Sequence, residues 1–471
     1  MTLIVPGVEV KVVKDVLTPQ LAPSGVLGLI AVTEVQPPGG VGRAASWNSF
    51  AESFGAASAF SAPEATQALA NGVFELVVSA VDASTTTAAS LDIPSDSGSG
   101  KAFTLTARAG GVWANGLTVT IELRSIATSK DDGTPDTPIK VFDLAVQRPG
   151  STGDAETFRN LSMDPTSPRY VVTVVSLQSQ IVTVTDIDKK KGPKASDSKA
   201  PYQLAGGKDA GRADYQAALD KLVNEPDVDM VLVSVQDLSN LPRLAQIYAD
   251  LIAHCDRMST RSQGRVAFAG VPGNTEALIR TNSATLVNSL VSDRLMLVAP
   301  FNTVGAVAGM VGSLDFFQSP TFKRLALGGV NPAIGVEAQQ ELLKENVVPI
   351  VAQRGRGVIV VRGLTTDGDQ VSVRRVADRA VRGVKTIGEQ FIGRLNNELG
   401  RGALKQNLIG FLVQMEKDGA IVPSTDGKDP AFKVNVYSSQ ADFAQGIVRV
   451  DMAVRPVRAI DYIYATVLVQ V

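Results

Sequence analysis

Short apolar runs recur along the chain, separated by stretches whose apolar residues return every three to four positions. Residues 26–33, 74–80, 230–235, 266–269 and 295–299 read as strands buried on both faces. Residues 62–71, 213–224, 241–258 and 275–290 read as the helices between them. Short apolar strands alternating with helices predict a largely parallel sheet covered on both sides. The expected α/β core domain is therefore 21–91 together with 201–360.

The intervening residues, 92–200, have a different texture. Two polar, low-complexity stretches, 93–101 (IPSDSGSGK) and 188–200 (DKKKGPKASDSKA), bracket Thr- and Val-rich runs at 102–107, 117–123, 140–147 and 170–185. They predict an inserted β-rich domain on flexible hinges. Beyond 361, assigned to a C-terminal domain (361–459), a strand at 358–362 leads to a polar turn at 365–369. A helix at 376–399, a Gly break and a second helix near 406–418 come next. Val448, Val450, Met452 and Val454 then alternate with Arg449, Asp451, Ala453 and Arg455, the two-residue period of a strand.

Both chain ends read as strand arms. Residues 1–20 carry Ile4 and the alternation of Val8, Val10 and Val12 with Glu9 and Lys11, set off by Pro6-Gly7 before and Pro19 and Pro23 after. Residues 460–471 (IDYIYATVLVQV) come after Pro456. A lone strand bracketed by breakers has to pair elsewhere to satisfy its backbone.

Composition narrows the chemistry. The 471 residues carry 45 basic and 47 acidic side chains, a net charge of −2, with one His and one Cys. One Cys forbids an intrachain disulfide, and a single His and Cys cannot supply a zinc cluster or a thiol redox pair. Near-neutral charge argues against a nucleic-acid coat. The longest strongly apolar run, 26–32, is far short of the ~20 residues a membrane helix needs. The first residues show no basic region ahead of their apolar ones, so synthesis and folding in a cytoplasm are expected.

A search for catalytic chemistry returns only turns and solvated charge. His254-Cys255 sits inside a predicted helix without visible partners. The glycines at 39–42, 206–207 and 328–329 fit neither phosphate-binding spacing. Ser196-Asp197-Ser198-Lys199 has a Ser-x-x-Lys spacing but lies in a linker. Asp227/Asp229 and Asp367/Asp369 read as solvated turn residues, and Lys189, Lys190, Lys191 and Lys194 as a solvated run. One local pattern stands out. Between 362 and 405 nine basic residues face five acids, and Arg375, Arg379 and Arg382 are spaced to share a helical face, with Lys385 close behind.

Across nearly its whole length, and in order, the chain resembles contractile tail sheath proteins of phage tails, R-type bacteriocins and bacterial contractile injection systems. Val5–Val10 (VPGVEV) resembles the family's opening "PGVYV" strand, and 26–33 its "VGVVGTA" strand. Ser46-Trp47 through Phe54-Gly55 and then 68–74 (ALANGVF) resemble its "FG…NG" run. Gly110–Leu117 (GGVWANGL) resembles the "pG.WGN.l" turn, and Leu204–Gly211 with Tyr215 the "L.GG.DG....Y" motif. Residues 227–233 match the next core strand, 305–309 (GAVAG) the "vAG" helix, 371–375 (VSVRR) an "inVRR" strand, and 411–420 the "fL..l...Gal" segment. Residues 442–460 resemble the closing "G.l.v.i...PvrPaEfI". Two departures are visible: the usual continuation after Gly309 is not matched in 310–331, and Ala459-Ile460-Asp461 replaces the Pro-Ala-Glu form.

This resemblance implies a structural subunit, without cofactor or metal, forming a helical homo-oligomer of stacked hexameric rings around an inner tube. Baseplate and tail-terminator or cap proteins are its implied partners, with no direct nucleic-acid contact and no membrane insertion. Contraction would drive the tube through a target envelope. The overall expectation is an α/β and α+β multidomain protein whose C-terminal domain is completed by strands from neighbouring subunits. Ile4, Val8, Val10 and Val12 at one end, and Ile460, Tyr462, Tyr464, Val467 and Val469 at the other, would form the exchanged strands. The helix with Arg375, Arg379, Arg382 and Lys385 would face the tube. The competing classes are another self-assembling shell protein and an α/β hydrolase-like or ligand-binding protein.

Overall fold

The computed structural model describes residues 21, 23–127, 138–148, 155–185, 187–197 and 199–464. The N-terminal arm residues Ile4, Val8, Val10 and Val12, and Val467 and Val469 at the other end, lie outside them. The described chain forms two compact units, the larger holding Pro23–Arg375 and the residues from Arg458 on, the smaller Val376–Val457.

The larger unit is built on nine strands: β1 (Val26–Ala31), β2 (Val41–Ala44), β3 (Glu75–Ala80), β4 (Met230–Val233), β5 (Val266–Gly270), β6 (Leu295–Ala299), β7 (Arg324–Leu325), β8 (Val348–Gln353) and β9 (Gly357–Val360). They lie in the order β7-β9-β8-β6-β5-β4-β1-β3-β2. The pairs from β8 through β6, β5, β4 and β1 to β3 are parallel, and β2, β9 and β7 are antiparallel to their neighbours. Every residue of β1, β4, β5 and β6 is buried. The two-residue period splits their side chains between two cores. Val26 and Ile30 of β1 join Tyr215, Leu244, Tyr248 and Leu251 of helices Arg212–Lys221 and Leu241–Thr260. Leu27, Leu29 and Ala31 join Phe50, Phe54 and the helices Pro63–Ala70 and Val304–Ser313. Full burial on both faces is what makes these strands continuous apolar runs.

The helix Val304–Ser313 crosses Pro63–Ala70 at contact distance because its glycines permit it. A Cβ at Gly309 would sit 2.3 Å from the Ala68 carbonyl oxygen, and one at Gly305 2.5 Å from the Glu64 Cα. Glu64 is buried there, its carboxyl pushed up in pKa by loss of solvent and bonded by the Ser234 hydroxyl.

Residues between β3 and β4 form two antiparallel sheets with a core of their own. One sheet pairs Ser90–Pro94 with Lys101–Ala107 and then Val182–Thr185; the other runs Tyr202–Gln203, Thr118–Ile126, Ile139–Gln147, Glu156–Leu161. Phe103, Leu105, Ile121, Phe142, Leu144 and Phe158 fill the space between. The run 170–185, read as extended, is a helix at Val171–Gln178 and only then a strand. Its buried residues Val171, Val174 and Val175 have helical spacing, which overrides the β preference of VVTVV.

Two expectations for the C-terminal region change. Residues 371–375 open a helix, Val371–Glu389, rather than forming a strand. That helix ends at Glu389 instead of continuing to 399, and the next begins early, at Glu398–Lys417. Asn397 explains the second start: its side-chain oxygen accepts the Gly400 amide at 2.7 Å, an N-cap.

Candidate assembly surfaces

The smaller unit contains a two-stranded antiparallel sheet, Phe432–Tyr437 against Arg449–Val454, in register from Phe432 opposite Val454 to Tyr437 opposite Arg449. Phe432, Val434, Val436, Val450, Met452 and Val454 point to one side, and none is fully buried. Val434, Val436 and Val450 pack on Ile387, Leu404 and Leu408 of the two helices. Among the described residues no third strand lies against either outer edge. Among the described residues, the main-chain donors and acceptors along these edges therefore have no ladder partners from a third strand. An uncovered edge is a template for another chain.

The segment after the last strand is fastened in two steps. Within the smaller unit, the Val422 amide donates to Arg455 O and the Val457 amide to Ala420 O, both at 3.0 Å. In the larger unit, Arg458 bonds Asp369 at 2.6 Å, and Gln370 meets the Ala459 backbone with both ends of its amide, at 2.8 and 3.0 Å. Asp461, with a side chain 6% exposed, accepts from Arg362 Nε and Gln370 Nε2 at 2.9 Å and from Thr321 Oγ1 at 3.3 Å. Ile460, Tyr462, Ile463 and Tyr464 are exposed, the last at 94%. Among residues 460–464 there is no strand pairing.

The basic helix divides. Arg375 does not reach a surface: it is 4% exposed, its Nη1 donates to Val311 O at 2.9 Å, Asp229 lies 4.0 Å from Nη2, and burial pulls its pKa down. The helix's first turn is set into the larger unit, with Val371 in the core and Arg374 bonded to Asp293 at 2.7 Å. Arg379, Arg382 and Lys385 belong to the smaller unit, are each half-buried, and each already has a partner within the chain.

The other singled-out residues have structural places. His254 is buried, its Nε2 2.8 Å from Arg265 Nη1; loss of solvent, then Arg265 and Arg257, push its pKa down to about 3. Cys255 is buried beside it. Asp227 and Asp229 are not free turn residues: Asp227 pairs with Arg43 at 2.7 Å, and Asp229 accepts the Val26 amide at 2.8 Å, fixing the start of β1. Asn115 and Gly207 exchange hydrogen bonds at 3.0 and 2.9 Å, so the "WGN" and "GG" pieces close the base of the insertion on each other. Within the same motif as Gly207, the Tyr215 hydroxyl donates to Asp209 at 2.7 Å. Among the described residues no cluster of metal-ligating side chains occurs, and no helix is long and apolar enough to cross a membrane.

Residues 208–366 match the family model of the phage tail sheath protein central domain, and 365–470 that of the phage tail sheath C-terminal domain. The sheath of the anti-feeding prophage in its contracted state is similar at TM-score 0.55 and 14% identity, over 98% of this chain and 99% of that one. The PVC sheath complex of an extracellular contractile injection system, also contracted, gives 0.55 and 11% over 99% and 98%. The sheath tail protein of Desulfitobacterium hafniense gives 0.50 and 16% over 92% and 93%. At these identities the likeness is one of fold. No curated protein matches the chain. The two consecutive domain matches, carried on a mixed α/β multidomain fold shared with sheath structures, make this chain a contractile tail sheath protein, a structural subunit.

Proposed function

We propose that the chain polymerises as stacked hexameric rings around an inner tube and shortens on a baseplate signal, driving the tube through a target envelope. The observation that carries this reading is the half-covered, two-stranded sheet of the smaller unit with no partner strand at its edges among the described residues. Strand addition from a neighbour would supply a ladder of main-chain hydrogen bonds across the subunit boundary. The exposed apolar segment around Tyr462 and Tyr464, continued by Val467 and Val469, has the composition of such a strand, as do Ile4, Val8, Val10 and Val12 at the other end. Strands joined to their own subunit by short segments would let subunits turn as rigid bodies while staying bonded, with the energy of contraction held in subunit packing.

Synthesis in a bacterial cytoplasm, with cap and baseplate proteins closing the two ends, belongs to the same reading. Arg379, Arg382 and Lys385 form the proposed tube-facing set, with Arg375 removed by its burial. Deleting 460–471 is expected to leave soluble, folded subunits that no longer form striated hollow cylinders by negative-stain microscopy. Full-length cylinders from the deletion variant would end the strand-exchange reading. Reversing charge at Arg379 and Arg382 together is expected to lower co-sedimentation of sheath with tube at least tenfold; unchanged co-sedimentation would remove this helix from the tube contact.

A further inference from the structure

The geometry points to Asp461 as the anchored root of the C-terminal arm: a positioning residue that ends the subunit's own fold and fixes where the part offered to a neighbour begins. This rests on the strand-exchange reading above and adds a residue and a boundary to it. Three donors from separate parts of the larger unit converge on one nearly buried carboxylate: Arg362 beyond β9, Gln370 ahead of the helix Val371–Glu389, and Thr321 ahead of β7. Thr321 is itself oriented, accepting the Gly363 amide at 3.1 Å. Gln370 takes the place of a strand partner for Ala459, bonding both its N–H and its C=O, so that residue needs no ladder. Arg362 then lies over the Tyr462 ring at 5.2 Å.

Exposed side chains flank this carboxylate on both sides, Ile460 at 79% and Tyr462 at 63%. Asp461 is nearly buried, while Ile463 is 84% and Tyr464 94% exposed. A chain held at 459 and 461 by polar partners has its direction set before Ile463 and Tyr464. Holding the root in one direction lowers the ordering cost a free tail would carry into strand addition. It also places the expected boundary of the exchanged strand after Asp461, so that Ile460, expected from the sequence to be part of the arm, lies on the subunit's side of that boundary.

The test uses the full chain with a nitroxide on Ile463→Cys, the lone native Cys255 being buried. In free subunits the label is expected to show restricted motion. Asp461→Ala is expected to give the spectrum of an unrestrained tail and a tenfold or greater fall in cylinder yield, with the subunit still folded but melting somewhat lower because Arg362, Gln370 and Thr321 lose an acceptor. Asp461→Glu, which keeps the carboxylate, is expected to restore both. Should Asp461→Ala fail to fold, Thr321→Val removes one donor and reads out the same way with a smaller change. An unchanged spectrum, or a freed label with wild-type cylinder yield, overturns the proposal. These failures are separable from that of the strand-exchange reading, which falls if deletion of 460–471 leaves cylinders intact.

Discussion

The nine-stranded sheet of the larger unit and the two-stranded sheet of the smaller one obey the same chemistry and reach opposite outcomes. In the first, β1 sits between β3 and β4 with both its ladders filled, and its side chains alternate into two cores, each closed by helices. In the second, the inner face is half-buried on Ile387, Leu404 and Leu408, and the edges stay open among the described residues. The central strands of the first sheet bury their apolar residues on both faces with both ladders filled, whereas among the described residues the second sheet is partly covered on one face and has no third strand. A closed core in one part and, among the described residues, open strand edges in another is the division of labour that the proposed strand exchange needs.

That contrast can be broken by exchanging the expected sensitivities. Leu232→Ala, on a fully buried strand, is expected to cost the free subunit about 2–5 kcal/mol in urea unfolding, whether or not it assembles. Acid should act on the same region. His254 has its pKa pushed down to about 3 from an ordinary 6.5, so the unfolded chain takes up its proton first. Its contribution is fully present above pH 6.5 and is lost as pH falls toward 3, about 2 kcal/mol being gone at pH 5. His254→Gln should flatten that part of the pH profile measured by urea unfolding. Val450→Ala, on the half-buried face, is expected to cost the free subunit about 1 kcal/mol or less. Its larger effect should appear as a raised threshold concentration for polymerisation. If Val450→Ala destabilises the free subunit as much as Leu232→Ala does, the smaller unit is complete by itself and the contrast fails.

Much of the larger unit is legible in the sequence because full burial writes itself as uninterrupted apolar runs. Residues 26–33, 230–235 and 295–299 announce β1, β4 and β6 within a residue or two. The misread elements are those where local preference and tertiary spacing disagree: VVTVVSLQ at 171–178, and VSVRR at 371–375, which looks extended but enters a core as a helix through Val371. The anchor at Asp461 left almost no trace. Its donors Thr321, Arg362 and Gln370 are 140, 99 and 91 residues away in the chain, and no local pattern announces a convergence of that kind. The sole signal was an acid at the family's Glu position. Arg375 illustrates the reverse error: its spacing with Arg379 and Arg382 is regular, but one helical turn earlier the surroundings change from surface to interior.

The most direct test is a cryo-electron microscopy map of cylinders assembled from the purified chain, at a resolution that separates strands. Strand exchange predicts that a strand from a neighbouring subunit lies hydrogen-bonded along an outer edge of the Phe432–Tyr437/Arg449–Val454 sheet, and that residues up to Asp461 remain on their own subunit. Cylinders in which both edges of that sheet are bare, or are covered only by residues of the same subunit, would contradict it.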